Sequence, residues 1–357
     1  MNLPKLTDLE VSGKRVLLRA DLDVDIDIKT GIEDIRLKSI ISTLEYLVEK
    51  NSEVIIIGHR GRPGGKIDEK LSLEPVSKVV EKLFKEKIGE EKMKSLKMYM
   101  LENLRFDPGE EANSGEFTKH LAEKGDVYVN EAFANSHREH ASIVGLPKLL
   151  PHAAGFRFAR EVENLSKVFN PSTGSGPKRP VLFIIGGSKK DKLDYVEDAK
   201  KTADKILVGG KLPEYMGDNT VSVRSYNEKE KVIVANLTMD REDITLNSIE
   251  RFEEEISKAC PSGVSKACPS GVGKAGTIVL AGPMGKYEDE GHRQGTERIF
   301  KAVAKSGAYK VVGGEDSLVV SQLFDLVDKF DWVSVGGGAM LEFLTKGTLP
   351  GIEALSH

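Results

Sequence analysis

The sequence predicts an α/β fold with two domains, each a parallel sheet covered by helices. Short apolar runs alternate with polar or glycine-rich turns and amphipathic stretches from one end of the chain to the other. That alternation is typical of parallel strands that are covered by helices. The 357 residues exceed the roughly 250–300 residues at which one hydrophobic core stops growing. We therefore expect two Rossmann-like three-layer domains with a cleft between them.

The apolar runs give the expected strands in chain order. In the first half they lie at residues 16–18, 54–57, 99–101 and 127–129. In the second half they lie at 181–185, 206–208, 232–234, 277–280, 310–312 and 332–335. Ligands of open α/β sheets collect at the carboxyl ends of the strands, so the residues that follow each run are candidate site residues.

Helical segments lie between the strands. Ser72 is a candidate N-cap for a helix that extends to Phe84, where apolar residues recur at helical spacing. A polar, helix-like stretch from Glu161 to Phe169 is expected to join the two domains, and a Pro/Gly/Ser-rich segment follows it. We place the first domain at residues 1–160 and the second at 161–345.

Composition excludes several classes of protein. The 52 basic and 56 acidic residues leave a net charge of −4, so no global field favours nucleic acid or an anionic membrane. The N-terminus is broken by charges every few residues and contains neither the apolar core of a signal peptide nor a spanning helix. These features predict a cytoplasmic protein.

One local repeat is anomalous. The segment SKACPSGV at 257–264 recurs at 265–272 and contains both cysteines of the chain, Cys260 and Cys268. Its position suggests an insertion into a surface connection. Because no histidine or second cysteine pair lies nearby, a metal site there is disfavoured.

The first half places polar and cationic side chains after its strands. These strand-end groups are Arg19 with Asp21 to Asp23, His59 to Arg62, Arg105, and His137 with Arg138. Arg36 joins them if its turn folds over the first strand. Arginine offers a planar fork of donors for carboxylate or phosphate oxygens. Any single arginine is more often a solvated surface charge. Four strand ends with the same chemistry favour a site for a small polyanion.

The second half follows its strands with glycine instead. The pairs and triplets begin at Gly186, Gly209, Gly282, Gly313 and Gly336. Each pair alone is more often a tight turn, but five at one sheet edge favour close approach of a nucleotide, and the helix that follows Gly338 would attract phosphate. Lys189 and Lys192 add positive charge, and Asp316 is the acidic residue best placed for Mg²⁺. The P-loop pattern G-x-x-x-x-G-K-[ST] does not occur.

At these residues the chain resembles phosphoglycerate kinase over essentially its whole length. The resemblance rests on RADLDV, GHRGRPGG, ENLRFDPGEEAN, DVYVNEAFANSHREHAS, RPVLFIIGGSK, AGPMGKYE, VVGGEDS and SVGGGAMLEFL. It implies a Mg²⁺-dependent enzyme that moves a phosphoryl group between 1,3-bisphosphoglycerate and ADP, giving 3-phosphoglycerate and ATP. It also implies a monomer whose first domain binds phosphoglycerate and whose second binds nucleotide, with residues 346–357 folded back on the first.

The resemblance also implies roles for individual residues. Those expected at phosphoglycerate are Asp21, Leu22, Asp23, Arg36, His59, Arg60, Gly61, Arg62, Arg105 and Arg138. Those expected at the nucleotide are Gly187, Ser188, Lys189, Lys192, Gly210, Pro283, Glu288, Gly314, Glu315, Asp316 and Ser317. Those expected at the transferring group are Arg36, Lys189, Lys192, Gly336, Gly337 and Gly338, with Asp316 as the metal ligand.

Several positions depart from the family pattern. Asp23 replaces an Asn, Ala281 replaces an Asn, Glu315 replaces a Gly and Val335 replaces a Thr, and the spacing between Gly187 and Asp191 is one residue short. Either Lys189 or Lys192 therefore contacts the moving phosphate. Two alternatives stay open: a binding protein without turnover, and a different sugar-acid or acyl-phosphate kinase on the same scaffold.

Overall fold

The computed structural model describes residues 3–24, 35–94, 96–168, 180–217, 230–259 and 276–356. These residues form two compact units. One contains the described residues from 3 to 162 and from 348 to 356, and the other those from 163 to 347. The Pro/Gly/Ser-rich segment and most of the tandem repeat, including Cys260 and Cys268, lie outside the described residues.

The first unit is built on a five-stranded parallel sheet. Its strands are β1 (Arg15–Arg19), β2 (Glu53–Ile57), β3 (Met98–Met100), β4 (Val127–Asn130) and β5 (His152–Ala154), in the order β3-β2-β1-β4-β5. The chain order reverses between β1 and β4, which makes their carboxyl ends the expected ligand site. The central strands β1 and β4 are buried on both faces, as the inner strands of parallel sheets between helices are.

The second unit repeats the same plan with six parallel strands. They are β6 (Val181–Ile185), β7 (Lys205–Val208), β8 (Val232–Val234), β9 (Thr277–Ala281), β10 (Tyr309–Gly313) and β11 (Trp332–Ser334), in the order β11-β10-β9-β6-β7-β8. The reversal lies between β6 and β9. Two parallel-sheet α/β units were predicted from the sequence, and the structure confirms them.

Helices cover both sheets. In the first unit they are α1 (Ile35–Ser39), α2 (Ile41–Glu49), α3 (Glu74–Ile88), α4 (Glu90–Lys94), α5 (Pro108–Glu111), α6 (Gly115–Ala122) and α14 (Pro350–Leu355). In the second they are α8 (Lys192–Ala199), α9 (Leu212–Tyr215), α10 (Leu246–Lys258), α11 (Gln294–Lys305), α12 (Glu315–Leu323) and α13 (Gly338–Lys346). Helix α7 (Phe156–Ser166) contains the boundary between the units. Among the described helices, none has the length and apolar character needed to cross a membrane.

Local structure differs from the sequence-based prediction in three places. Strand β5 was not predicted, because its sequence, His-Ala-Ala, has no β-branched or large apolar residue. The joining helix begins at Phe156 rather than Glu161 and ends at Ser166. At the start of α3, Ser72 Oγ accepts from Glu74 N at 3.2 Å, and Glu102 accepts from Leu73 N at 2.7 Å, so capping is shared.

The C-terminal helix α14 packs on the first unit. Gly351 N donates to Ser136 O at 2.9 Å, and the His152 ring lies 3.3 Å from Leu355 O. Ile352 and Leu355 are buried. The last described residues are therefore part of the first unit, where they contact the polar loop that follows β4.

A buried carboxylate holds the start of α7. Glu131, directly after β4, accepts hydrogen bonds from Arg157 N at 3.1 Å, from Phe158 N at 2.8 Å and from the Thr43 hydroxyl. The two amides belong to the first turn of α7, where backbone N–H groups have no partner within the helix. Burial raises the pKa of the Glu131 carboxyl to about 7, against the opposing effect of these donors. The sheet of the first unit thus fixes the helix that leads to the second.

The raised pKa predicts a pH-dependent stability. Because the pKa of Glu131 is higher in the folded protein than its ordinary value of 4.5, the folded state binds the extra proton and loses stability as pH rises from 4.5 through 7. The loss is about 3 kcal/mol at about 1.4 kcal/mol per pH unit. Urea unfolding followed by circular dichroism at pH 5 and pH 8 should show this loss in the wild type and not in Glu131→Gln. Glu139→Gln, at an exposed position, should behave like the wild type; equal pH dependence in all three proteins contradicts the prediction.

Candidate active site

In the first unit the strand ends bring together a buried polar cluster. Asp21, two residues after β1, accepts from Ala134 N at 2.9 Å and from the Asn135 amide, both in the loop after β4. The Asp21 side chain is 2% exposed, and burial raises its pKa. The carboxylate therefore links the two strand-end loops at the reversal of the sheet.

Arg19 lies behind this cluster and is completely buried. Its Nε donates to Ser142 Oγ at 2.8 Å, and its Nη2 lies 2.8 Å from His59 Nδ1. Ser142 in turn donates through Oγ and N to the two carboxylate oxygens of Glu110, at 2.5 and 3.0 Å. Glu110 is fully buried. A continuous hydrogen-bonded chain thus runs from the Glu110 carboxylate to the His59 ring, and it balances the buried guanidinium.

This chain determines the tautomer of His59. A guanidinium only donates hydrogen bonds, so Nδ1 is the acceptor and the proton of the neutral ring lies on Nε2. His59 Nε2 is 3.9 Å from Asp23 Oδ2. Burial and the charges of Arg19 and Arg105 hold the pKa of His59 well below 6.5. His140, whose ring centroid is 6.2 Å away, has its pKa lowered to about 3 by burial and the same arginines. Both histidines therefore stay neutral among arginines.

Arginine donors surround these rings. Arg105 is 1% exposed; its Nη1 donates to Gly61 O at 2.7 Å, and its Nε is 3.1 Å from Glu111 Oε1. Its Nη2 is buried and meets no hydrogen-bond partner in the described part of the chain, and the same holds for Arg138 Nε. Burial and the nearby Arg138 lower the pKa of Arg105. Unsatisfied cationic donors at a strand-end loop suit an anionic ligand.

The structure brings together only some of the remaining residues that were predicted for this site. The Arg36 guanidinium donates to Asp23 O, and Asp23 Oδ1 accepts from Gly61 N at 2.8 Å. Arg60 instead donates to Lys70 O at 3.2 Å, and Arg62 is exposed. The Leu22 side chain belongs to the hydrophobic core. Arg36, Asp23 and Gly61 are thus joined directly.

In the second unit a cavity of about 290 Å³ lies at the ends of β6, β7, β9 and β10. We call it the glycine-lined pocket. Its lining residues are Gly187, Ser188, Gly210, Lys211, Glu242, Pro283, Gly285, Lys286, Tyr287, Glu288 and Asp316. Backbone hydrogen bonds join its loops: Gly187 N donates to Pro283 O at 2.8 Å, and Lys211 N donates to Gly187 O at 2.9 Å. Gly210 has φ +63°, and a Cβ there would clash with Gly187 N. The pocket wall is therefore main chain.

Lys192 points into this wall, whereas Lys189 is exposed. Lys192 Nζ donates to Gly186 O at 2.8 Å and lies 2.7 Å from where a Cβ of Gly187 or Gly282 would stand. Burial lowers the pKa of Lys192, and the nearby Asp316 acts in the opposite direction. The lysine at the shortened spacing thus reaches the strand ends from the first residue of α8.

Two helices begin beside the pocket with glycine and without a capping side chain. Gly314 precedes α12 and Gly337 precedes α13, and a Cβ on Gly337 would lie 3.0 Å from the Gly314 Cα. Gly336 N donates to Ser334 Oγ at 3.2 Å. Ser317 is fully buried, and its Oγ accepts from Gly282 N at 2.7 Å. Adjacent free helix N-termini form a site for phosphate oxygens.

Acidic side chains complete the pocket. Asp316 and Glu288 line it, and the Glu315 carboxylate is exposed at the start of α12. Burial and the charges of these three carboxylates raise the pKa of Tyr287. Among the described residues, no group of three or more His, Cys, Asp or Glu side chains is arranged to hold a metal ion.

Sequence reasoning missed several of these residues. Lys211 and Glu242 line the pocket, and Glu110 and Ser142 support the polar cluster. Lys211 could have been predicted, because it directly follows Gly210 at the end of a strand. Glu242 lies in an irregular loop between β8 and α10 and follows no strand end, so the sequence pattern contains no signal for it.

Comparison with known proteins agrees with this arrangement. The family model for phosphoglycerate kinase matches residues 6–243 and 217–347. A phosphoglycerate kinase of Moorella thermoacetica is 32% identical over 99% of this chain and 98% of the relative. The chain belongs to the phosphoglycerate kinase family. Another family member, from Thermomicrobium roseum, is 34% identical over 98% of each chain.

Solved phosphoglycerate kinase structures have the same fold. One from Coxiella burnetii has a TM-score of 0.73 at 27% identity and covers 99% of each chain. One from Pyrococcus horikoshii OT3 has a TM-score of 0.78 at 26% identity and covers 99% of this chain and 98% of its own. Family membership makes the chain a phosphotransferase with a carboxyl group as acceptor.

Two histidines lie in opposite electrostatic environments, so we expect their rings to have different protonation states at the same pH. His292 lies 2.8 Å from Asp240 and 2.9 Å from Asp289, and these hydrogen bonds raise its pKa. At pH 6.5 we expect His292 to be mostly protonated and His59 to be neutral with its proton on Nε2. Long-range ¹⁵N NMR of the histidine rings measures both, with His59→Gln and His292→Gln for assignment. A His59 ring that is charged, or protonated on Nδ1, contradicts the proposed hydrogen-bonded chain.

Proposed function

We propose that this enzyme transfers a phosphoryl group reversibly between 1,3-bisphosphoglycerate and ADP with Mg²⁺, as in glycolysis and gluconeogenesis. The observation that carries the proposal is the division of chemistry between the units. The first holds buried arginine donors without partners, and the second holds a main-chain pocket beside two free helix N-termini. A cytoplasmic location and a monomeric state stay predictions.

The first unit would bind phosphoglycerate. Arg105 Nη2 and Arg138 Nε are buried donors without a hydrogen-bond partner among the described residues, and they suit the anionic groups of the substrate. Asp21 and Asp23 offer carboxylate oxygens to the substrate hydroxyl. Arg36 is anchored on Asp23 O, at the edge of this cluster, where its charge would face the carboxyl oxygen that carries the phosphoryl group.

The second unit would bind the nucleotide phosphates. Lys192 and the N-termini of α12 and α13 converge at the ends of β6, β9 and β10. We assign Lys192 rather than Lys189 to the transferred phosphate, because Lys192 Nζ already lies against the strand-end glycines. Gly336 to Gly338 would present main chain rather than side chains to phosphate oxygens next to the start of α13.

Mg²⁺ fits the donors that are present. Among the carboxylates of the pocket, Asp316 lies in the first turn of α12, and Mg²⁺ commonly takes one or two carboxylates together with substrate phosphates and water. When bound, the ion would neutralise charge on the nucleotide phosphates. Asp316 would hold it, and Lys192 would supply the fixed positive charge beside it.

In the proposed reaction the phosphorus–oxygen bond to the acyl carboxylate breaks as a bond to the terminal phosphate oxygen of ADP forms. The protein needs to align the two oxygens and to stabilise charge on the moving group. Since the two substrates bind to different units in this proposal, transfer requires the units to close. Helix α7, fixed at its start by Glu131, would be the hinge.

Arg36→Ala tests the mechanism. We expect kcat to fall by about a hundredfold or more, because the charge on the moving group loses one fixed cation, while calorimetric ADP binding changes little. The assay couples 3-phosphoglycerate, ATP and Mg²⁺ to NADH oxidation through glyceraldehyde-3-phosphate dehydrogenase. Arg15→Ala, which removes a half-exposed arginine paired with Asp126 at the opposite end of β1, is the matched control. Full activity of Arg36→Ala would refute the mechanism.

The two lysines are distinguished by a second set of variants. Lys192→Ala should lower kcat by about a hundredfold. Lys189→Ala should act mainly on the KM for ATP, because its exposed ammonium contributes a screened charge. Lys190→Ala, next to it and also exposed, is the control. A larger loss of kcat in Lys189→Ala than in Lys192→Ala would reverse the assignment.

A further inference from the structure

One end of the glycine-lined pocket carries a row of charges that the reaction does not use. The row consists of Lys211, Glu242 and Lys286. Lys211 Nζ lies 3.2 Å from Glu242 Oε1, and Lys286 Nζ lies 3.7 Å from Glu242 Oε2. All three residues line the cavity. Phosphoryl transfer needs no carboxylate there, so the row requires a different explanation.

The order of the strands places this row at the base end of a bound nucleotide. The phosphate groups belong near Lys192 and the start of α12, which follow β6 and β10. Lys211 follows β7, which lies on the other side of β6 from β9 and β10, and Glu242 reaches Lys211 from the irregular loop between β8 and α10. A nucleotide that extends from α12 along the pocket therefore reaches the row with its base.

The backbone holds the row in place. Glu242 N donates to Asp240 Oδ1 at 3.1 Å, and Glu242 O accepts from Lys286 N at 2.8 Å. Lys211 N is bonded to Gly187 O in the pocket wall. The Glu242 side chain is 27% exposed, so the carboxylate is partly shielded from water and open to the cavity. Its two oxygens are acceptors between two ammonium donors.

We propose that this row recognises the base through its hydrogen-bonding edge and favours guanine over adenine. The row presents donor, acceptor, acceptor and donor in sequence. Guanine presents an acceptor, O6, followed by two donors, N1–H and the 2-amino group, and matches a lysine and both oxygens of Glu242. Adenine presents one donor and one acceptor and leaves a carboxylate oxygen without a base partner. The inference rests on the proposed function and specifies its nucleotide.

The expected effect follows from one additional charge-assisted hydrogen bond. Such a bond contributes enough for a preference of about tenfold in kcat/KM for GTP over ATP. ITP, which lacks the 2-amino group, should behave like ATP because it loses that bond. The 2-amino group is therefore the discriminating feature.

The test measures kcat/KM for GTP, ITP and ATP with saturating 3-phosphoglycerate and Mg²⁺ in the coupled assay. Calorimetry of GDP and ADP binding gives a readout that does not depend on turnover. Glu242→Gln places an amide donor against the guanine donors and should reduce the GTP/ATP ratio by about tenfold. Glu214→Gln, which removes a carboxylate paired with Arg241 outside the pocket lining, should keep the wild-type ratio.

The outcomes separate this inference from the proposed function. Three outcomes would each overturn the proposal that the row recognises guanine. They are turnover with ATP at a GTP/ATP ratio of kcat/KM of one or less, equal kcat/KM for ITP and GTP, and an unchanged GTP/ATP ratio in Glu242→Gln. Absence of turnover with every nucleotide would overturn the proposed function itself, and the calorimetric preference for GDP would still decide whether the row recognises guanine.

Discussion

The buried Arg19 guanidinium is the charge on which the polar side of the first unit depends. A guanidinium without water is tolerated only when its donors are satisfied and its charge is balanced. Ser142 and Glu110 provide that balance from the segments that follow β4 and β3, and His59, after β2, accepts from Nη2. The same bonds fix the histidine tautomer. In this unit the same hydrogen bonds therefore hold the strand-end loops together and determine the chemistry of the site.

The second unit uses a different constraint, the close approach of backbones. Gly187 and Gly210 have positive φ and leave no room for a side chain, so the loops after β6, β7 and β9 bond to one another directly. Lys192 Nζ occupies the space that a side chain at Gly187 would fill. An anion at this wall meets N–H groups and one ammonium, with little competing side-chain bulk.

Most of the sheet could be predicted from sequence because the strands of a parallel sheet are buried on both faces and stand out as apolar runs. Part of the polar cluster in the first unit was also predictable, because the residues concerned follow the ends of strands. Strand β5 was not, because it forms through pairing with β4 and not through its own propensity. The role of Ser142 and Glu110 depends on tertiary contacts between distant segments, and Glu242 reaches the pocket from an irregular loop, so neither produces a periodic signal.

The departures from the family pattern have unequal consequences. Ala281 and Val335 are each 2% exposed, and Ala281 pairs with Ile185 inside the sheet, so these changes alter packing and not the pocket surface. Asp23 keeps an acceptor role, because its Oδ1 binds Gly61 N. Glu315 is different: its exposed carboxylate stabilises the first turn of α12 but repels phosphate at the same helix end. In the proposed nucleotide complex Glu315 would act at the phosphate end and Glu242 at the base end, so separate residues of this chain would control nucleotide affinity and base preference.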